Sequence, residues 1–287
     1  MYTASLLAIL ASTAMSVGLY FMKREAERLP ALGGGWRFAA WSAFVRDRWW
    51  LRGLALQITG FALYLAALRA APLSIVHTAM DGGIALFVLL AVIGLGERMR
   101  AVEWLGVSAI VAGLVALGVS LSTGATGQPL GHGFVTFSLV LATLAGVALI
   151  ADRTVPRAIG LSVASGLALG LGSVYAKALA GAPSFATVES AYVLLTLAAN
   201  LVGFVLQQAS FQAGRAVVVM PLSSVVSNFV PIIGGIIVFD ESLPAHGTAA
   251  ILRPLAFALA IGGVALLAGF GEPASASAVQ VEDVRSR

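Results

Sequence analysis

Two stretches, APLSIVHTAM (71–80) and MPLSSVVSNF (220–229), decide the fold because both open an apolar run with Pro-Leu-Ser. The apolar segments before them align as well. QITGFALYLAAL (57–68) and NLVGFVLQQASF (200–211) share Gly-Phe, and each begins with a residue that has an amide side chain, Gln57 or Asn200. The matches recur in the same order, so the chain contains two related halves.

The composition is that of a polytopic membrane protein. Hydrophobic residues make up 59% of the chain and charged residues 10%, against about 45–50% and about 25% in soluble domains. The absence of cysteine excludes disulfides and thiolate metal sites. The small excess of 17 basic over 13 acidic residues argues against nucleic-acid binding. No catalytic motif is present, so we expect neither an enzyme nor a cofactor.

Runs of about 20 apolar residues predict an all-α fold of about nine membrane spans. They lie near residues 3–22, 53–69, 72–95, 103–122, 133–151, 159–179, 188–210, 216–239 and 249–270. Because one span separates the halves, the second half enters the membrane from the opposite side, as in the inverted repeats of secondary transporters. The predicted units are a first repeat (1–122), a connector (123–158), a second repeat (159–271) and a disordered tail (272–287).

Basic residues predict the orientation. One face of the predicted topology collects 14 of the 17 basic residues, and the other has only Arg69, Lys177 and Arg253. The positive-inside rule places the N-terminus outside and the C-terminus in the cytoplasm, across the plasma membrane. The aromatic and basic segment 36–50 predicts a helix lying at the cytoplasmic interface, with a short tenth span as the alternative.

Two stretches, with their repeat in the second half, resemble the drug/metabolite transporter superfamily (the EamA-like proteins). They are GFALYLAALRAAPLS (60–74) and LGERMRAVEWLGVSAIVAGL (95–114). Within it, the order of four, one and four spans, with MKREAERLP (22–30) after the first span and RDRWWLRG (46–53) before the second, is most similar to the NIPA-type magnesium-transporter branch. The resemblance implies an inverted-repeat transporter fold over residues 1 to about 270. Where that branch carries an acidic residue after the glycine of the second span, this chain has Phe61 after Gly60.

Asp81 is the most unusual residue of the third span. At about 1.5 Å per residue it lies about 13 Å from the start of the span, near the middle of a core about 30 Å thick. A carboxylate at that depth must be partnered, protonated or exposed to water. His77 and Ser74 share its helical face, so we expect the three to bind a proton or a substrate cation. The alternative is that Asp81 only hydrogen-bonds a neighbouring helix.

The eighth span carries polar groups at the matching place. Ser224 and Asn228 lie one turn apart with Ser227 beside them, and Pro231 frees the carbonyl of Ser227. Such a break can present backbone oxygens to a ligand. A proline kink with Ser and Asn joining helices is the alternative.

Uncharged polar residues of the second and seventh spans are further candidates. Gln57 and Tyr64 are seven residues apart, as are Asn200 and Gln207, so each pair shares a face. They suit an organic solute or the water around an ion, or they only bond neighbouring helices.

Several residues near span ends could act as gates or packing sites. Glu97 and Arg98 follow the third span and Asp240 and Glu241 follow the eighth; each pair forms a gate or a solvated helix end. Lys177 either attracts an anion or extends to the interface. The pair Gly166 and Gly170 forms a GxxxG pattern, which predicts close helix packing.

The leading hypothesis is a secondary-active transporter of a small polar metabolite, with proton coupling through Asp81. The first alternative is a magnesium or divalent-cation transporter with Asp81 as a metal ligand, and the second is a non-transporting membrane scaffold. The expected partners are an ion or small molecule and the lipid bilayer, and a homodimer is compatible with the sequence.

Overall fold

The chain is an all-α polytopic membrane protein. A computed structural model describes residues 2–30, 32, 38–70, 73–120, 133–151, 155–180, 186–239 and 248–270. Within these ranges the helices are α1 (Tyr2–Ala26), α2 (Phe38–Phe44), α3 (Arg48–Ala70), α4 (Leu73–Gly94), α5 (Ala101–Ser120), α6 (Phe134–Ile150), α7 (Arg157–Ala180), α8 (Ala186–Ala213), α9 (Ala216–Val238) and α10 (Thr248–Phe270).

Nine of these helices coincide with the apolar segments predicted as spans, so the helical positions are confirmed. In the described residues, α1, α5, α7, α8 and α9 are long and apolar enough to cross a membrane, and shorter apolar stretches lie in α4, α6 and α10. The predicted tail, 272–287, lies outside the described residues.

The prediction of one interfacial helix over 36–50 is wrong in its boundaries. A short helix, α2, ends at Phe44, and a second, α3, begins at Arg48 and continues to Ala70. The reason is a cap: the Oδ1 atom of Asp47 accepts a hydrogen bond of 2.7 Å from the N–H of Trp50. A carboxylate in this position satisfies a free N–H of the first turn and so starts a new helix there.

The helices pack in two corresponding groups. In the first half (α1–α5), α1 packs along α3 and α4; in the second half (α7–α10), α7 packs along α8 and α9. The connecting helix α6 lies against α7 and α9. Glycines allow close approaches that correspond between the groups: Gly18 with Gly53 and Gln57 and Gly60 with Met15 in the first, Gly172 with Asn200 and Gly203 with Leu169 in the second.

The two halves also meet along α5 and α10. Gly106 lies against the backbone of Gly263, and Gly113 lies against the backbone of Ala256. Position 106 is early in α5 and 263 is late in α10, whereas 113 is later and 256 earlier, so the two helices run antiparallel. Glycine has no side chain, so the two backbones can approach closely at these positions.

The apolar core is continuous between the halves at one end of the bundle, called here the Lys23 end. The largest cluster joins Met22, Trp50 and Phe87 of the first half to Phe211 and Val217 of the second. Neither of the two smaller clusters among the described residues joins the two halves. One contains Ala8 and Ala67, and the other is built around α6, α7 and α9.

Candidate functional site

Asp81 lies in the interior of the bundle, as the sequence predicts. Its residue is 8% exposed, and it shares a face of α4 with the buried residues Ile84, Val88 and Ala91. No described residue forms a hydrogen bond with the carboxylate, and the hydroxyl of Tyr64 lies within range of its charge. A buried carboxylate to which no described residue donates can bind a cation or a proton.

Two serines of α1 contact α4 close to Asp81. The Oγ atom of Ser16 donates to the carbonyl of Gly83, two residues after Asp81, at 2.8 Å. Ser12 lies one turn earlier, and both serines are buried. A Cβ at Gly83 would collide with the Oγ atoms of both, so the glycine allows this close approach of α1 and α4. The sequence analysis missed this pair, although its i, i+4 spacing places both hydroxyls on one face of α1.

The structure does not describe the side chains of two other predicted members of this site. Ser74 and His77 belong to α4, but their side chains lie outside the described residues. The gate candidates Asp240 and Glu241 also lie outside them.

The polar residues of α3 and α8 are placed differently from one another. Gln57 donates to the carbonyl of Met15 at 3.3 Å, which joins α3 to α1. Asn200 is exposed and donates to the carbonyl of Thr196 in its own helix. Tyr64 packs against the cluster of Ala8 and Ala67, and its hydroxyl lies within electrostatic range of Asp81.

Gln207 belongs to a buried cluster of three helices. Its Oε1 atom accepts hydrogen bonds from Ser165 of α7 at 3.1 Å and from Ser223 of α9 at 2.8 Å. The Oγ atom of Ser210 completes the cluster at 3.5 Å from the Gln207 Nε2 atom. These mutual bonds satisfy Gln207 within its own half, so it joins helices there.

The polar segment of α9 is largely satisfied within the helix. Ser227 Oγ and Asn228 Nδ2 both donate to the carbonyl of Ser224, at 3.0 and 2.9 Å. The Ser227 carbonyl, which Pro231 frees, lies against Gly170 of α7. Close packing of the GxxxG pair is therefore confirmed, and this carbonyl faces a helix in this structure.

Lys23 connects the two halves by hydrogen bonds at the Lys23 end. Its residue is 1% exposed, and its Nζ atom donates to the carbonyls of Phe211 at 2.5 Å and Gly214 at 2.6 Å. It also pairs with Glu27 at 2.7 Å. The carbonyls at the C-terminus of α8 lack partners within the helix, so an ammonium group is a favourable cap for them.

Glu97 makes a second connection at this end. Its carboxylate accepts hydrogen bonds from the N–H groups of Ala216 at 2.6 Å and Val217 at 3.0 Å. These are the first residues of α9, where the helix dipole favours a negative charge. The predicted gate residue Glu97 thus contacts the opposite half directly.

Arg215 makes the third connection. Its Nη1 atom pairs with Oε1 of the fully buried Glu103 at 2.5 Å, and its Nη2 atom donates to the carbonyl of Arg98. Arg98 therefore takes part through its backbone, whereas the sequence analysis singled out its side chain. The sequence pattern does not indicate Lys23, Glu103 or Arg215 as members of this connection.

Comparison with known proteins finds a distant relative. The chain is 24% identical over 295 residues to a probable magnesium transporter of Arabidopsis thaliana, NIPA9, covering 93% of this chain and 82% of that protein. This chain is similar to a NIPA-type protein. No family model matches the chain, and no solved structure does.

Proposed function

We propose that this chain carries a divalent cation, Mg²⁺ first, across the membrane. The observation that carries the proposal is the buried Asp81 carboxylate on the interior face of α4, without a hydrogen bond to any described residue. The similarity to a probable magnesium transporter along nearly the whole chain supports Mg²⁺ as the cargo. The same similarity favours the cation over the small polar metabolite that the sequence analysis put first.

The chemistry around Asp81 suits a hydrated cation. Mg²⁺ gives up its water reluctantly and is often held by one or two carboxylates while it keeps several waters. Three hydroxyl-bearing residues, Ser12, Ser16 and Tyr64, lie near Asp81 or the turn after it and can accept hydrogen bonds from such waters. The described residues hold no cluster of three or more acidic, histidine or cysteine residues, which argues against a fully dehydrated metal site.

Transport would proceed by alternating access of two inverted halves. The matched contacts of α1 with α3 and of α7 with α8 support an inverted repeat, as does the antiparallel pairing of α5 with α10. In such transporters the substrate site opens to one side of the membrane at a time, when one half rocks against the other. The bonds of Lys23, Glu97 and Arg215 would then hold the Lys23 end closed.

The distribution of basic residues supports a cytoplasmic location for this end. Arg24, Arg46, Arg48, Arg98 and Arg157 all belong to the basic face of the predicted topology. The structure would then represent a state closed towards the cytoplasm, with the N-terminus outside.

Uptake into proteoliposomes tests the proposal. Purified protein is reconstituted with a Mg²⁺-sensitive fluorophore inside, and Mg²⁺ is added outside. Asp81→Asn removes the charge with almost no change in size, so we expect initial uptake to fall at least tenfold, the equivalent of about 1.4 kcal/mol of lost binding. The matched control is Asp283→Asn in the C-terminal tail, which should keep wild-type uptake.

The same vesicles test whether the transported ion is recognised in its hydrated form. Cobalt(III) hexaammine has the size of hydrated Mg²⁺ and cannot lose its ligands, so it should compete if the ion is recognised with its water. Wild-type uptake by Asp81→Asn would exclude Asp81 from the pathway. Absence of Mg²⁺ uptake by the wild type, in vesicles that hold folded protein, would refute magnesium transport.

A further inference from the structure

We propose that the exposed face of α3 at the Lys23 end binds the headgroup of an anionic phospholipid through Arg48, Trp49 and Arg52. A lipid of this kind carries a phosphodiester and a net negative charge above two acyl chains. All three residues belong to the first half, and none of them is part of the Asp81 site, so the inference does not depend on the cargo.

The arginines around the start of α3 lack acidic partners among the described residues. Arg46, Arg48 and Arg52 are exposed, and none of them forms an ion pair with a described residue. The carboxylate of Asp47 accepts a hydrogen bond from the N–H of Trp50. The other acidic side chains described at this end are bonded elsewhere, and they are Glu25, Glu27, Glu97 and Glu103. The described part of the chain therefore leaves the positive charge of this surface uncompensated.

Trp49 gathers two guanidinium groups on this surface. Its residue is 43% exposed, and its ring stacks on Phe21 of α1 with 5.6 Å between the ring centres. The Cζ atom of Arg52 lies 4.2 Å from the centre of the Trp49 ring, and that of Arg24 lies 5.0 Å from it. Arg24 is already paired with Glu25 at 2.7 Å. Arg52 is not, and a guanidinium stacked on an aromatic ring keeps its fork of N–H donors free for a phosphate.

The same face of α3 continues as a surface for acyl chains. Arg48, Arg52, Ala55, Thr59 and Ala62 follow one another at helical spacing, and all five are exposed. Ala62 lies ten residues after Arg52, about 15 Å deeper along the helix. The two cations are therefore at the top of a stripe of small, weakly polar side chains. A phospholipid has the same order of parts, with the phosphate above the acyl chains.

The matching helix of the second half lacks these cations. Gln57 and Asn200 make the corresponding glycine contacts of α3 and α8, so a separation of 143 residues relates the two helices. By that separation Arg52 corresponds to the exposed Leu195, and Arg48 corresponds to an exposed alanine. The packing of the fold therefore does not require arginine at these places. The cations occur only at the end for which we propose a cytoplasmic location, and the cytoplasmic leaflet is the one that carries anionic lipids.

Thermal unfolding in mixed detergent micelles tests the site. The purified chain is titrated with dioleoylphosphatidylglycerol, or with dioleoylphosphatidylcholine, which has the same acyl chains and no net charge. A ligand that binds the folded chain raises the unfolding temperature, and the titration gives its apparent affinity. We expect a clear rise with phosphatidylglycerol and little change with phosphatidylcholine at the same mole fraction. Inorganic phosphate, which has no acyl chains, should not reproduce the rise.

Arg48→Gln combined with Arg52→Gln should weaken the apparent affinity for phosphatidylglycerol about 25-fold, since each arginine near a membrane surface contributes about fivefold. Arg157→Gln is the matched control, because Arg157 is also an exposed arginine at the first position of a helix. It should keep the wild-type affinity. If the double variant does not fold, Arg52→Gln alone should weaken the affinity about fivefold.

Four results would overturn the inference. Equal stabilisation by phosphatidylglycerol and phosphatidylcholine would show that the charge of the headgroup is not recognised. Wild-type affinity in a folded variant without Arg48 and Arg52 would remove these residues from the site. An equal loss in Arg157→Gln would indicate diffuse attraction by basic residues, and equal stabilisation by inorganic phosphate would indicate a soluble ligand. Mg²⁺ uptake is not measured, so the site is tested separately from the proposed transport.

Discussion

At the scale of single residues, the approach of α1 to α4 depends on one glycine beside Asp81. Gly83 faces Ser12 and Ser16, and a Cβ there would overlap both Oγ atoms. The neighbouring Gly82 has nothing within 4 Å of the same hypothetical atom. The two glycines differ only in what they face, so they form a natural test pair for the packing around Asp81.

Gly83→Ala should lower the free energy of unfolding by about 1–3 kcal/mol, the usual penalty of overpacking a well-packed site. It should also slow Mg²⁺ uptake, because α1 is pushed away from the Asp81 region. Gly82→Ala should be neutral or stabilising by about 0.5–1 kcal/mol, since alanine is the better helix former. Thermal unfolding in detergent measures both; equal effects of the two variants would contradict the packing described here.

The sequence predicts part of the site and misses the rest for physical reasons. Asp81 is conspicuous because placing a carboxylate in an apolar membrane helix costs free energy. Ser12 and Ser16 are not, since small hydroxyl residues are common wherever membrane helices pack. Gln57 and Asn200 are equally polar in the sequence, yet Gln57 donates to the backbone of α1, whereas Asn200 lies against Gly172 of α7 and donates to a carbonyl of its own helix.

At the scale of helices, the start of α9 depends on a residue far away in the chain. Arg215, in the position before α9, caps no N–H with its side chain. The N–H groups of Ala216 and Val217 instead bond to Glu97, which follows α4. The stability of the first turn of α9 therefore depends on contact between the two halves.

Glu97→Gln should loosen the first turn of α9, because it removes a charged acceptor from the positive end of the helix. We expect amide hydrogen exchange at Ala216 and Val217 to become about tenfold faster, in line with the loss of a hydrogen bond to a charged group. Arg98→Gln is the control: it keeps the backbone carbonyl that Arg215 binds, so exchange should stay at the wild-type rate. Equal acceleration in both variants would contradict the cap.

Sequence reasoning predicts these helices well because the membrane sets their length. An apolar run of about 20 residues has few alternatives to a helix in lipid, and the nine predicted spans coincide with helices. The structure of the region around Asp47 is harder to predict, because aromatic and basic residues are common both in interfacial segments and at the start of a membrane helix. The deciding feature is a single carboxylate that caps Trp50.

At the scale of the whole molecule, the proposed orientation can be measured directly. Single cysteines at Tyr2 and at Val45 are expected on opposite sides, because α1 separates them. In intact cells, a membrane-impermeant maleimide should label Tyr2→Cys and leave Val45→Cys unlabelled. In inside-out vesicles the pattern should reverse. Labelling of Val45→Cys in intact cells would invert the assignment of the Lys23 end to the cytoplasm.

The sequence does not indicate at which end the described side chains join the two halves by ion pairs and hydrogen bonds. Two related halves have similar apolar faces at both ends, so the pattern is compatible with either state. The difference lies in contacts between distant residues, such as Lys23 with Phe211 and Arg215 with Glu103. Neither pair is adjacent in the chain or linked by a helical period.

The pairing of α5 with α10 has a consequence for symmetry. The contact of Gly106 with Gly263 and that of Gly113 with Ala256 exchange places if the two helices are interchanged, which is the property of a self-complementary interface. A four-helix half made as a separate polypeptide would expose a stripe of small residues, matched by a copy of itself inserted the other way up. The contacts of α5 with α10 are therefore those that two antiparallel copies of one half would make with each other.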